Sequence, residues 1–354
     1  MSKKIITIRD IARLAEVSEG TVDRVLHNRG RVGENSLKKV MKVLNEFNYK
    51  PNMIARSLSI SKSYKLAILM TDPTQDSYWA QSQSGVRQAL AEWEQYGITI
   101  EPFFFDGHNG FSFERVAKAL LNASPDGVLI APIFYQEALS FFRSLNDKQI
   151  PYVLFNTKIA EAKPLCFIGQ DLYNSGMVAA ELMDIGQSEA CLFAILHIYE
   201  DLNNSVHLVE KERGFRFYFS NSGQKHKITT IRLGNPDEPS FEDQLSSLLS
   251  DSQLKGLFVS TSTVTSSVAE QLEKHKREDI RLIGYDLLEG NLRYLESGTI
   301  TFLINQNPRH QAFLSIDQLA KNLLFKKTPP ASSLLPLDII TKHNLDSYLS
   351  SVVH

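Results

Sequence analysis

Only two cysteines, Cys166 and Cys191, occur in 354 residues. That is too few for a disulfide framework, and their separation does not match a metal-ligand pair. No apolar run approaches the roughly 18 residues that a membrane span needs. Charge at Lys3, Lys4 and Arg9 arrives too early for the apolar region of a signal peptide, so a cytoplasmic protein is expected. Also missing are a P-loop, a dinucleotide fingerprint, an H-E-x-x-H pair and a nucleophile elbow. The nine histidines are scattered. No enzyme class is therefore indicated, and neither a cofactor nor a metal is expected.

What remains is ordinary in bulk. Apolar residues make up 43% and charged residues 22%, with a net charge of −2, as in soluble globular chains. The length suits two or three domains. The charge is unevenly spread, however. Residues 1–62 carry 13 Lys/Arg against 6 Asp/Glu, a balance of +7, which leaves −9 on the rest. A basic head on an acidic body points to a polyanionic partner.

Three helix starts are legible in that head. Thr7 is an N-cap with Asp10 three residues on, stapled by Ile6 and Ile11; Ser18 is a second, with Val17 and Val22; Gly33 is a third, with Glu34, Val32 and Leu37. Apolar residues then recur at helical spacing: Ile11, Leu14 and Ala15; Val22, Val25 and Leu26; Val40, Val43, Leu44 and Phe47. Only Glu16 and Val17 separate the first two helices, which predicts a helix-turn-helix whose second helix enters the major groove. Glu19, Gly20, Asp23, Arg24 and His27 are its exposed positions. Arg24 is the leading base reader, since a guanidinium takes guanine O6 and N7 together; the alternative is a solvated surface arginine. Glu19 suits either cytosine N4 or the helix terminus. Lys3, Lys4, Arg29, Arg31, Lys38 and Lys39 are candidate phosphate contacts, which fix position rather than sequence. Beyond helix three, Pro51 breaks the chain before a short helix, and the Ser-rich stretch 59–63 reads as a linker. So short a helix needs a partner helix or DNA to form.

The run Thr7-Ile8-Arg9-Asp10-Ile11-Ala12, then Ala15-Glu16-Val17-Ser18, Gly20-Thr21-Val22-Asp23-Arg24-Val25-Leu26, and Tyr49-Lys50-Pro51-Asn52 to Ala55-Arg56-Ser57-Leu58, resembles the LacI family of bacterial transcriptional regulators. The resemblance implies Thr7, Ser18, Glu19, Gly20, Thr21, Arg24, His27 and Asn28 as DNA-contacting positions in the head. It also implies a hinge pair in the minor groove, with Leu58 as the wedge and Asn52 and Ala55 beside it. Two departures stand out: Glu16 replaces the usual glycine of the turn, and Asp23 replaces a common serine. Gly20, moreover, offers no side chain to a base.

From Lys65 onward short apolar runs alternate with helical periods. Strands are expected over 66–70, 98–105, 127–130, 152–155, 165–168, 191–196, 229–233, 256–259, 281–284 and 301–304. Such alternation argues for an α/β body with parallel sheets and ligands outside the carboxyl ends of the strands. Ten strands are many for one sheet, so two lobes with a cleft are expected. The body resembles the type I periplasmic sugar-binding fold, through Asp126 to Pro132, Glu212-Arg213-Gly214-Phe215, Ile283-Gly284-Tyr285-Asp286 and Gln306-Asn307-Pro308. The implied organisation is a helix-turn-helix domain at 1–50, a hinge at 51–63 and a two-lobed effector domain at 64–354. Lobe one is expected at about 64–164 and 298–325, lobe two at about 165–297 and 326–354.

Asp286, directly after a strand, suits two adjacent hydroxyls, and Arg213 suits the same ligand from across the cleft. The alternative is that the two form a structural bridge. Tyr78 and Trp79 are candidates for stacking, or for ordinary helix-start core. The fold's usual contacts add Asp72, Asn156, Thr157, Thr261 and Gln306, although sugar binders often carry an acid or amide where Thr261 stands. With no cationic cluster at a helix start, a neutral sugar or polyol is favoured. The expected protein is a homodimeric regulator, a repressor, which binds a near-palindromic double-stranded DNA operator and answers to a small-molecule effector. The alternatives are a phosphosugar or nucleobase effector and, more remotely, a carbohydrate-acting enzyme or a sugar-transport binding protein. Inducer and corepressor logic are equally open.

Overall fold

The computed structural model describes residues 8–26, 32–47, 63–199, 202–221, 223 and 225–352. It divides into two units, residues 1–62 and 63–354.

In the first unit, α1 (Ile8–Leu14), α2 (Glu19–Leu26) and α3 (Glu34–Glu46) close on a small core of Ile11, Ala12, Ala15, Val22, Val40 and Val43. Ser18 caps α2 as its sequence suggests: its Oγ accepts from Thr21 N at 3.2 Å, and Val17 packs against the same core. Leu14 and Phe47 were expected in this core but are 47% and 48% exposed. Glu16 takes a left-handed φ of 54°, the conformation for which glycine is the usual residue. Its carboxylate meets Lys39 Nζ at 2.9 Å, so the side chain that strains the turn also ties it to α3.

The second unit is built on two six-stranded sheets. The first contains β1 (Tyr64–Thr71), β2 (Ile98–Phe105), β3 (Gly127–Ile130), β4 (Tyr152–Asn156), β5 (Cys166–Gly169) and β11 (Ser332–Leu334), in the order β11-β5-β4-β3-β1-β2, all parallel. The second contains β6 (Leu192–Ile198), β7 (Lys227–Leu233), β8 (Leu254–Val259), β9 (Arg281–Tyr285), β10 (Phe302–Asn305) and β12 (Asp338–Ile340), in the order β12-β10-β9-β8-β6-β7. Only β12 runs antiparallel there. Near-continuous apolar strands suit sheets covered on both faces. On the first sheet Ala67 and Leu69 face α5 (Gly110–Asn122) and α6 (Tyr135–Asp147); α4 (Ser77–Trp93) and α12 (Pro308–Phe325) pack together on the other side. The second sheet is covered by α7 (Leu172–Asp184) and α8 (Val206–Asn221) on one face. On its other face lie α9 (Pro239–Leu249), α10 (Thr265–Lys274), α11 (Glu289–Ser297) and α13 (Leu345–Val352).

The expected lobe limits need correction. Residues 165–168 were assigned to the second lobe, yet β5 pairs with β4, Val153 opposite Cys166, in the first sheet. Residues 298–305 were assigned to the first lobe, yet β10 pairs with β9 in the second. The chain crosses after each of these strands, at 170–171 and 306–307, and again between β11 and β12. Parallel pairing decides this, and no local pattern encodes it. Gln170 joins the crossings: its Nε2 donates to Asn305 O at 2.8 Å and Pro336 O at 2.5 Å. Among the described residues no helix is long and apolar enough to cross a membrane.

Candidate functional site

A cleft of about 680 Å³ opens between the sheets, at the carboxyl ends of their strands, where open α/β sheets bind ligands. On the first lobe β1 ends in Thr71, and the following loop starts α4. Asp76 caps that helix by accepting from Tyr78 N at 2.7 Å. Burial raises the Asp76 carboxyl above its ordinary value, and the residue faces the cleft. Tyr78 and Trp79 are each 6% exposed and meet edge to face with centroids 5.0 Å apart. Both line the cleft, so they are helix-start core and cleft wall together. The Tyr78 hydroxyl accepts from Asn156 Nδ2 at 2.6 Å, which fixes a second lining side chain.

The floor comes from the second lobe. Lys211 of α8 is 2% exposed; its Nζ donates to Ser260 O at 2.9 Å and stands 3.5 Å above the centre of the Tyr285 ring. A relay supports Ser260 from behind: its Oγ meets His197 Nδ1 at 2.9 Å, and His197 Nε2 meets Glu212 Oε2 at 2.7 Å. The His197 bond, joined by those from Thr230 and Arg216, lowers the Glu212 carboxyl to about 2. Although serine, histidine and glutamate in series form a nucleophile's relay on other folds, Ser260 is fully buried and its Oγ also donates to Leu196 O at 3.2 Å. The trio therefore braces the floor.

Asp286 lies beneath this surface. It is fully buried and accepts from Ser262 Oγ at 2.5 Å, Gln306 N at 2.7 Å and Gln306 Nε2 at 2.6 Å. Burial raises its carboxyl, opposed by these bonds and by Lys211. Both its φ of 61° and that of Asn156, 68°, are left-handed, strain of the kind that collects at binding sites.

Among the described residues, three buried polar atoms of side chains that line the cleft, Thr71 Oγ1, His207 Nδ1 and Thr261 Oγ1, have no hydrogen-bond partner. Leaving such atoms unpaired costs about 1–3 kcal/mol each. His207 is half-buried with Nδ1 sealed from solvent. Burial, helped by Lys211 and His197, lowers its pKa to about 3 and keeps the ring neutral.

Of the residues expected here, Tyr78, Trp79, Asn156, Thr261 and Gln306 line the cleft, and Asp286 supports it. Four assignments change. Arg213 is not in the cleft: its side chain is 62% exposed, pairs with Glu210 at 2.9 Å and lies 4.8 Å from the Tyr173 ring centre. It therefore makes no bridge with Asp286. Residues two apart on a helix point to nearly opposite sides, and Lys211 holds the inward one. Asp72 spends its carboxylate on its own loop, accepting from Thr74 N at 2.9 Å and Oγ1 at 2.7 Å; Asp76 is the acid that faces the cleft. Thr157 is fully buried and donates to Asn156 Oδ1 at 2.8 Å. Asp286 supports the lining without belonging to it. Sequence reasoning missed Lys211, Asp76 and His207. A signal for Lys211 existed: with Leu208, Phe215 and Phe219 it occupies the buried stripe of α8, an odd place for a lysine.

In the head, Glu19, Gly20 and Arg24 are exposed on α2. Glu19 lies 3.3 Å from Arg9 Nε, while Arg24 makes no ion pair among the described residues. Ser18 and Thr21 are joined at 2.9 Å through their hydroxyls. Thr7, His27, Asn28, Asn52, Ala55 and Leu58 lie outside the described residues.

Residues 7–52 match the model of bacterial regulatory proteins of the lacI family, and residues 66–327 match that of a periplasmic binding protein domain. The chain is 24% identical to the sucrose operon repressor of Streptococcus mutans over 95% of its own length and 98% of the repressor's. It is 30% identical to the probable transcriptional repressor ExuR of Bacillus subtilis, but over only 44% of either chain. A solved putative LacI transcriptional regulator from Bacteroides fragilis is 30% identical, with a TM-score of 0.76, over 81% of this chain and all of that one. GanP, a glucose-galactose binding protein from Geobacillus stearothermophilus, shares the fold at 20% identity and a TM-score of 0.70, over 80% of this chain and 99% of GanP.

Proposed function

The chain belongs to the LacI family of bacterial regulatory proteins, and on that footing we propose that it is a repressor that binds its operator as a homodimer and answers to a neutral sugar or polyol held in the cleft. In this reading residues 1–50 bind DNA, 51–63 form the hinge and 64–354 sense the effector. Arg24, with Glu19 and the caps around Ser18, reads the major groove. The hinge residues Asn52, Ala55 and Leu58 open the minor groove at the centre of the site.

The observation that carries the effector assignment is the set of three unpartnered polar atoms in a cleft walled by Tyr78 and Trp79. Flat aromatic faces suit the C–H surfaces of a sugar, and the orphaned atoms suit its hydroxyls. Charge narrows the class: among the described residues the lining holds no arginine and one lysine, the buried Lys211, beside the acid Asp76, a poor reception for a phosphate. The names of relatives agree in kind, since repressors of sucrose and ribose operons are among them.

A thermal-shift panel of neutral sugars, polyols, phosphosugars and nucleobases tests this. A ligand at about 100 times its Kd adds roughly 2.7 kcal/mol, enough to read as a rise in Tm. Neutral sugars should give the hits, and Trp79→Ala should abolish them. Hits confined to phosphosugars or nucleobases would keep the regulator and overturn the effector class.

A further inference from the structure

Helix α6 begins on the first lobe after Phe134, which provides no side-chain cap, although the opening N–H groups of a helix need acceptors. They find them on the other lobe, in Asn204, which lies between β6 and α8. Asn204 O accepts from Tyr135 N at 3.0 Å, and Asn204 Oδ1 accepts from Gln136 N at 2.8 Å. Its Nδ2 donates to Glu137 Oε2 at 2.8 Å. One residue thus engages three successive residues across the cleft that it also lines, two of them, Gln136 and Glu137, through its side chain. The lobes also meet at the rings of His108 and Tyr199, 4.4 Å apart, and at Gln81 Nε2, which donates to Leu287 O at 3.1 Å.

We propose that Asn204 is the latch that holds the lobes closed, serving as a borrowed N-cap whose bonds exist only while the cleft is shut. Asparagine is among the best caps, and here the cap reports lobe closure because helix and cap belong to different lobes. Opening returns two helix amides and a carboxylate to water, so the latch sets the fraction of molecules competent to retain an effector. The proposal rests on the effector reading for its purpose, but not for its test.

Spin labels at exposed Lys118 and Asp243, one on each lobe, give lobe separation in the full chain once Cys166 and Cys191 are replaced by alanine. Without any ligand, the otherwise wild-type chain should show mainly the short distance. Asn204→Ala should raise the open-to-closed ratio by a few-fold to about thirtyfold, the range expected for a lost cap. Asn204→Asp sets a carboxylate against Glu137 and should open the lobes as well. The swap Asn204→Asp with Glu137→Gln restores the bond with its polarity reversed, and should close them again. Unchanged distances in Asn204→Ala, a wild-type chain already as open as the variant, or a swap that stays open would each overturn the latch. A sugar that stabilises the wild type should bind Asn204→Ala more weakly by the factor lost in closed population; equal affinity would also overturn it. A panel with no sugar hit would count against the effector reading alone, because the ligand-free distances decide the latch.

Discussion

Replacing Asp286 by alanine should destabilise the effector body by about 3–5 kcal/mol, the usual cost of removing one member of a buried charged network. The geometry says where the loss arises. Asp286 is fully buried, and its removal leaves two Gln306 donors without acceptors at about 1–3 kcal/mol each. The Ser262 hydroxyl can turn elsewhere, but Lys211 loses the attraction of a nearby carboxyl. For a body of this size about 2 °C accompanies each kcal/mol, so scanning calorimetry of the full chain at pH 7 should show Tm fall by about 6–10 °C. Asp286→Asn keeps the shape without the charge and should cost far less. The pH dependence separates the two further. Burial raises the Asp286 carboxyl in the folded state, so ionising it costs stability, and that cost is relieved as pH falls through the raised value. Wild type should therefore gain on Asp286→Asn as the solution is acidified. A fall below about 2 °C for the alanine variant would refute the assignment of Asp286 as the hub beneath the cleft. It would also make an alanine variant a clean probe of effector response, which the present geometry denies.

Gly176→Ala should lower Tm sharply and impair effector binding, because its Cβ would overlap the Lys211 carbonyl where α7 and α8 cross; a folded variant with unchanged binding would contradict the close crossing. His207→Gln should flatten the acid side of the stability profile. The wild-type ring is held neutral with a pKa of about 3, so its share of stability is intact above its unfolded value near 6.5 and declines as pH falls from there toward 3; urea midpoints between pH 7 and 4 read this, and parallel profiles would refute it. Arg24→Ala should lose about 1–3 kcal/mol of discrimination at one base pair. Equal weakening on every operator variant, measured by titration, would reduce Arg24 to a phosphate contact.

The alternation of apolar runs and helical periods was enough to locate ten strands and the three helices of the head, because those signals are local. The caps at Ser18 and the lining role of Tyr78 and Trp79 were legible for the same reason. β11 and β12 were not: three residues each carry no period. The lobe limits failed because nothing in Cys166–Gly169 says which sheet it joins; that is decided by parallel pairing with β4 and by crossings tied at Gln170. Arg213 was read as a ligand contact on its chemistry alone, whereas the phase of α8 turns Lys211 inward and Arg213 outward. Asp72 was expected at the cleft and Asp76 was not, because the bonds by which Asp72 closes its own short loop do not show in a sequence. Glu16 is the opposite case: its oddity in the turn was visible, and the structure supplies its partner, Lys39.

The central claim is that a sugar in the cleft and an operator at the head are coupled through one molecule. The direct measurement is operator affinity by fluorescence anisotropy, on a site selected from random DNA, with and without saturating amounts of the sugar found by thermal shift. A shift of roughly 5- to 150-fold, matched by an equal change in sugar affinity when operator is bound, is the predicted result. Operator affinity that stays the same while the cleft is demonstrably full would contradict it.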